Sequence, residues 1–172
     1  SGVLIQFGER LAVATAWHVL EPFLKIRAAG GFGIVVVDNA VIEHPASIYR
    51  DERNDIVLLE VPQAVAHGIG AKPHIPGTEW PPRRVAAGDT ILVCGFPALL
   101  RSNDENEILH ADLNYMALVE SASEHQFVLQ VRHDDGVDHG RVAFPPPEAD
   151  LGGLSGCPAF AWYDDGFPLV GV

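Results

Sequence analysis

Short runs in which apolar, often β-branched residues dominate or alternate with polar ones recur along the chain. They are Val3 to Phe7, Leu11 to Ala16, Gly33 to Val37, Ile56 to Val61, Thr90 to Cys94, Tyr115 to Glu120, Phe127 to Val131 and Cys157 to Trp162. Clusters of Gly, Pro, Asn and Asp separate them, so each reads as a strand between turns. A 3.6-residue period is nearly absent. The one short stretch that carries it, Val19 to Arg27, meets Pro22 early. A proline inside a helix removes a hydrogen bond and crowds the preceding turn, so one or two helical turns are all this stretch predicts. The pattern predicts an all-β protein, built as a sandwich or barrel.

Two irregular stretches divide the pattern. His67 to Pro82 holds Gly68, Gly70, Pro73, Pro76, Gly77, Pro81 and Pro82; such a composition cannot sustain a central strand and reads as a connector. It separates a first lobe, residues 1–75, from a second, residues 83–172. The other stretch, His133 to Gly153, contains Asp134, Asp135, Gly136, Asp138 and the run Pro145-Pro146-Pro147, the chemistry of exposed loops. The chain opens directly into apolar alternation and closes on Pro168-Leu169-Val170-Gly171-Val172, so both ends are expected to lie within structure.

Composition changes the picture in three ways. At 172 residues the chain suits one domain or two small lobes, and 48% hydrophobic residues suffice to build a core. Its net charge of −12, from 11 basic and 23 acidic residues, would repel phosphate backbones and anionic lipid. Nucleic acid and membrane are therefore not expected partners, and no apolar run is long enough for a transmembrane helix. Two cysteines, Cys94 and Cys157, are too few for a disulfide scaffold and fit no metal-ligand spacing; a reducing, cytoplasmic location is expected. The cluster His133-Asp134-Asp135-Gly136-Val137-Asp138-His139 lacks the closing acid of a calcium loop and matches no zinc pattern. It reads as a solvated hairpin tip, and no metal or organic cofactor is expected.

Three segments carry reactive groups in order: Ala14-Thr15-Ala16-Trp17-His18-Val19, Arg53-Asn54-Asp55-Ile56-Val57-Leu58-Leu59 and Gly152-Gly153-Leu154-Ser155-Gly156-Cys157-Pro158. Each sets one polar residue at the end or start of an apolar strand. A serine hydroxyl is a weak nucleophile and needs an imidazole to take its proton. A carboxylate then fixes the imidazole tautomer and stabilises the imidazolium. Around Ser155, Gly153 and Gly156 free the backbone to turn so that the amides of Gly153 and Ser155 point at one developing oxyanion.

With these motifs in order, the chain resembles the chymotrypsin-like (trypsin-like) serine peptidases, in particular the disulfide-free bacterial branch that includes the HtrA-type enzymes. Thr15-Ala16-Trp17-His18 is similar to that family's Thr-Ala-Ala-His element and Asp55-Ile56-Val57-Leu58-Leu59 to its Asp-Ile-Ala-Leu-Leu element. Gly153-Leu154-Ser155-Gly156-Cys157-Pro158 is similar to its nucleophile element, and Val93-Cys94-Gly95-Phe96-Pro97 to the strand opening its second barrel. The resemblance implies two antiparallel β-barrels, the second incomplete at its C-terminus. It further implies catalysis by Ser155, His18 and Asp55 on a protein or peptide substrate; with both ends expected to lie within structure, the chain is expected to be the peptidase part of a longer intracellular bacterial protein with a regulatory or sensor domain.

The departures set the rival reading. Leu154 stands where secreted members carry an Asp that pairs with a freed N-terminal amine, so activation by that ion pair is not expected. Cys157 replaces a glycine and is expected to bury as a small hydrophobe at moderate packing cost. With the strands expected after Val172 missing, these motivate a noncatalytic peptide-binding or regulatory module on the same fold. Asp150, shortly before the nucleophile, is the candidate substrate-binding carboxylate for Arg or Lys side chains.

Overall fold

The computed structural model describes residues 1–77, 80–103, 108–110, 113–131, 153–164 and 166–172. The chain divides into two compact units, Gly2–Trp80 and Pro81–Gly171, with Ser1 belonging to the latter and Val172 to the former. The division falls within the Gly- and Pro-rich stretch 67–82.

The unit Gly2–Trp80 contains strands β1 (Val3–Phe7), β2 (Arg10–Ala16), β3 (Val35–Val37), β4 (Ala40–Ile42), β5 (Ala46–Asp51) and β6 (Ile56–Val61), with helices α1 (Trp17–Ala28) and α2 (Gln63–Ala66). Four strands form an antiparallel sheet in the order β1-β2-β6-β5, and β3 and β4 pair as a separate hairpin. The alternation along β6 sends Val57, Leu59 and Val61 into a core with Leu4, Val13, Leu20 and Ile42. The outer edge of β1 is met at His74, whose amide and carbonyl bond to Leu4 and Gln6, so that edge is covered.

Helix α1 corrects the expectation of one or two turns: it runs twelve residues straight through Pro22. Leu20 is buried in the core, and Trp17, Phe23 and Leu24 pack against it. Their burial outweighs the one backbone bond that proline forfeits, while the Pro22 ring faces outward, exposed. Glu21 and Lys25 add an i,i+4 ion pair at 3.0 Å.

The second unit contains β7 (Thr90–Gly95), a 3₁₀ turn (Ala98–Leu100), β8 (Arg101–Asn103), β9 (Ile108–His110), β10 (Leu113–Ala122), β11 (Phe127–Gln130), β12 (Ala159–Trp162) and β13 (Leu169–Gly171). Its five-stranded antiparallel sheet has the order β11-β10-β7-β12-β13, and β8 pairs with β9. The central strand β7 alternates strictly, burying Ile91, Val93 and Gly95. Ile91 and Val93 join Val119, Cys157, Ala159 and Ala161 in the core. Among the described residues the protein is thus β-rich, with one four-stranded and one five-stranded antiparallel sheet and two two-stranded hairpins. The irregular stretch 133–153, with its Asp- and His-containing cluster 133–139, lies almost wholly outside the described residues.

Candidate functional site

The antiparallel register of β2 and β6 pairs Ala16 with Ile56. One step further on each strand lie Trp17 and Asp55, so the ladder itself carries the start of α1 to the β5–β6 loop. There the Trp17 amide donates to the Asp55 carbonyl at 3.0 Å. The His18 amide donates to Asp55 Oδ1 at 2.9 Å, and the His18 ring meets Asp55 Oδ2 through Nδ1 at 2.5 Å. An ionised carboxylate only accepts, so this contact places a ring proton on Nδ1, and whenever the imidazole is neutral Nε2 is its basic nitrogen.

Asp55 has a second duty. Ala16, at the N-cap of α1, offers no side-chain acceptor, and the first amides of a helix have no internal partner. Asp55 supplies acceptors for two of them from a different segment. Burial pushes its carboxyl up, but the bonds from the His18 amide and ring, the His18 charge and the Trp17 amide outweigh that and hold it below the ordinary Asp range. The His18 and Asp55 side chains are 58% and 46% exposed, so solvent screens the pair and its value lies in orientation more than in stability.

The backbone of Asp55 is left-handed, with φ 56°, which costs roughly 1–2 kcal/mol for an L-residue and less for Asp or Asn. A brace surrounds it. Asp51 Oδ1 accepts the amides of Arg53 and Asn54, each at 3.1 Å, and its Oδ2 accepts Asn54 Nδ2 at 2.7 Å. Those bonds, chiefly the ones from Asn54, hold the Asp51 carboxyl below its ordinary range. The neighbouring Arg50 guanidinium stacks 4.7 Å from the centre of the Trp17 ring. Sequence reasoning passed over Asp51, Asn54 and Arg50, although an Asp whose carboxylate accepts the amide two residues on, as Asp51 does from Arg53, is a known turn device.

Ser155 lies in the other unit, half-buried on the turn that leads into β12. The Cys157 amide donates to the Leu154 carbonyl at 2.8 Å, closing a turn with Ser155 and Gly156 at its centre. Gly156 has φ 78°, the third position of a type II turn, where glycine is favoured. Gly153 has φ 94°, and a Cβ on it would fall 2.7 Å from the Ala98 amide nitrogen and 3.1 Å from the Phe96 carbonyl. Its carbonyl accepts from Ser1 Oγ at 2.9 Å. Among the described residues, neither the Gly153 nor the Ser155 amide has an acceptor. Cys157 is buried because Gly95 makes room for it: a Cβ on Gly95 would sit 1.8 Å from its sulfur.

Of the expected residues, then, His18 and Asp55 are brought into contact, and Ser155 and Gly153 share a second segment. Asp150 lies outside the described residues. Among the described residues no group of three or more His, Cys, Asp or Glu forms a metal-ligand set, and no helix is long and apolar enough to cross a membrane. Comparison with protein-family models, with curated proteins and with solved structures finds no match to this chain.

Proposed function

We propose that the chain is a serine endopeptidase of the chymotrypsin-like kind. The observation that carries the reading is the His18–Asp55 pair, whose Nδ1 contact leaves Nε2 available as a base, together with a serine on a glycine-flanked turn. In this reading the four-stranded and the five-stranded sheet each belong to a β-barrel. The substrate is a protein or peptide, and no cofactor takes part. The chain is the peptidase part of a larger cytoplasmic protein with a regulatory or sensor domain.

Ser155 Oγ attacks the scissile carbonyl while its proton passes to His18 Nε2, and Asp55 stabilises the imidazolium that forms. The amides of Gly153 and Ser155 hold the tetrahedral oxyanion. The imidazolium then gives its proton to the departing amine, leaving the acyl group on Ser155. Water, deprotonated by the same nitrogen, releases the acid. The chemistry requires Nε2 and Oγ within hydrogen-bond reach in the reacting state.

A fluorophosphonate probe tests this directly. Covalent labelling at Ser155 is expected, with none in Ser155→Ala and turnover reduced in that variant by roughly 10³ to 10⁶. A folded wild-type chain that stays unlabelled overturns the reading. The noncatalytic peptide-binding alternative draws on one observation, that Asp55 also caps α1 and so has a structural reason to be there. It predicts unchanged peptide affinity in Ser155→Ala with no labelling in either chain.

A further inference from the structure

We propose that Asp51 is a positioning residue for the His18–Asp55 pair, acting through the β5–β6 loop; the inference rests on reading that pair as base and orienter. Asp51 is the last residue of β5 and is paired with Ile56, the first of β6. The four residues between them must therefore reverse the chain and deliver Asp55 in the left-handed region. A loop of this length has several ways to turn. The Asp51 carboxylate selects one of them by accepting two successive amides, Arg53 and Asn54, on one oxygen and the Asn54 side chain on the other.

Asp55 begins where that brace ends. Its carbonyl, Oδ1 and Oδ2 each contact the Trp17–His18 segment, at 3.0, 2.9 and 2.5 Å, so a change in its backbone angle displaces all three. Asp51 itself has no bond to His18 among the described residues; its influence passes through loop geometry. Without its three bonds the left-handed angle at Asp55 loses local support. The carboxylate then swings away from Nδ1, freeing the neutral ring to carry its proton on Nε2, where it cannot accept from a nucleophile.

The tautomer of His18 is the readout, measured by long-range ¹H–¹⁵N correlations on the uniformly labelled chain at a pH where the ring is neutral, with the signals assigned by their loss in His18→Gln. Wild type is expected to hold the proton on Nδ1. Asp51→Ala shifts the population toward Nε2–H. Asp51→Asn, which keeps an oxygen for the two amides, restores most of the Nδ1–H population. The rate of Ser155 labelling follows the same order, falling by up to about 100-fold in Asp51→Ala. A folded Asp51→Ala with the wild-type tautomer overturns the proposal, as does a wild-type ring protonated on Nε2. If Asp51→Ala does not fold, Asn54→Ala decides: it strips only the Nδ2 bond, a partial shift toward Nε2–H is expected, and an unchanged population overturns the proposal. Because the tautomer does not depend on Ser155, an unlabelled serine with the expected tautomer series would sink the peptidase reading alone.

Discussion

Asp55 combines three demands that different substitutions separate. It caps the first amides of α1, orients the His18 ring and adopts a left-handed backbone. Asp55→Ala removes both carboxylate contacts and is expected to cost about 1 kcal/mol of stability for the lost cap. Asp55→Asn keeps an oxygen for the His18 amide and tolerates positive φ, so its melting temperature should stay close to wild type. Its amide nitrogen, however, would face Nδ1 and favour the opposite tautomer, lowering Ser155 labelling by about 10⁴. Melting curves beside labelling rates check this separation. A wild-type rate in Asp55→Asn would reduce Asp55 to a helix cap.

The elements around the candidate site have their own weak and tight points. Pro22 sits within α1 and denies the His18 carbonyl its helical partner, yet its ring is exposed. Pro22→Ala leaves no cavity and returns the missing N–H, so it is expected to raise unfolding stability by up to about 3 kcal/mol; a denaturant midpoint at or below wild type would refute this. In the other unit β7 and the Ser155 turn meet at Gly95 and Cys157, where any Cβ on residue 95 collides with the buried sulfur. Gly95→Ala is expected to destabilise by about 1–3 kcal/mol or more. Cys157→Gly in the same chain should recover much of that loss, a coupling read from a double-mutant cycle. Additive effects would place the strain elsewhere.

Over the whole molecule the charge is uneven, −3 for residues 1–82 and −9 for residues 83–172, summing to −12. Three groups link stability to pH with the same sign. Burial lowers the His74 pKa, so the fold favours the neutral ring and stability falls as pH drops below about 6.5, the unfolded value. Asp55 and Asp51 have depressed folded values. Their contribution is complete well above about 3.9 and is lost as pH falls through that value toward the folded ones. At 0.15 M salt, where general repulsion is screened beyond about 8 Å, the urea midpoint should therefore decline in two steps on acidification. His74→Gln is expected to flatten the upper step and Asp55→Asn to shallow the lower one. A midpoint that is flat or rises between pH 7 and pH 5 would contradict the assignment to His74.

The strands built on strict local alternation were readable from the chain alone. Val57, Leu59 and Val61, or Ile91 and Val93, announce a buried face because strand geometry turns every second residue to the same side. The same logic set Asp55 and His18 at the boundaries of apolar runs. What local pattern cannot encode is compensation from far along the chain. Proline in α1 is tolerated because Leu20 reaches a core supplied by β2, β4 and β6, and Cys157 is accommodated because a glycine sixty-two positions earlier lacks a side chain. Asp51 escaped notice for a related reason: its carboxylate serves only backbone and side-chain groups of the next three residues, and its consequence emerges one residue later, when the β2–β6 register lays Asp55 against His18. Propensity and periodicity are set by neighbours in sequence and fix the elements. Hydrogen-bond geometry and available volume are set by neighbours in space, and they alone decide what those elements hold together.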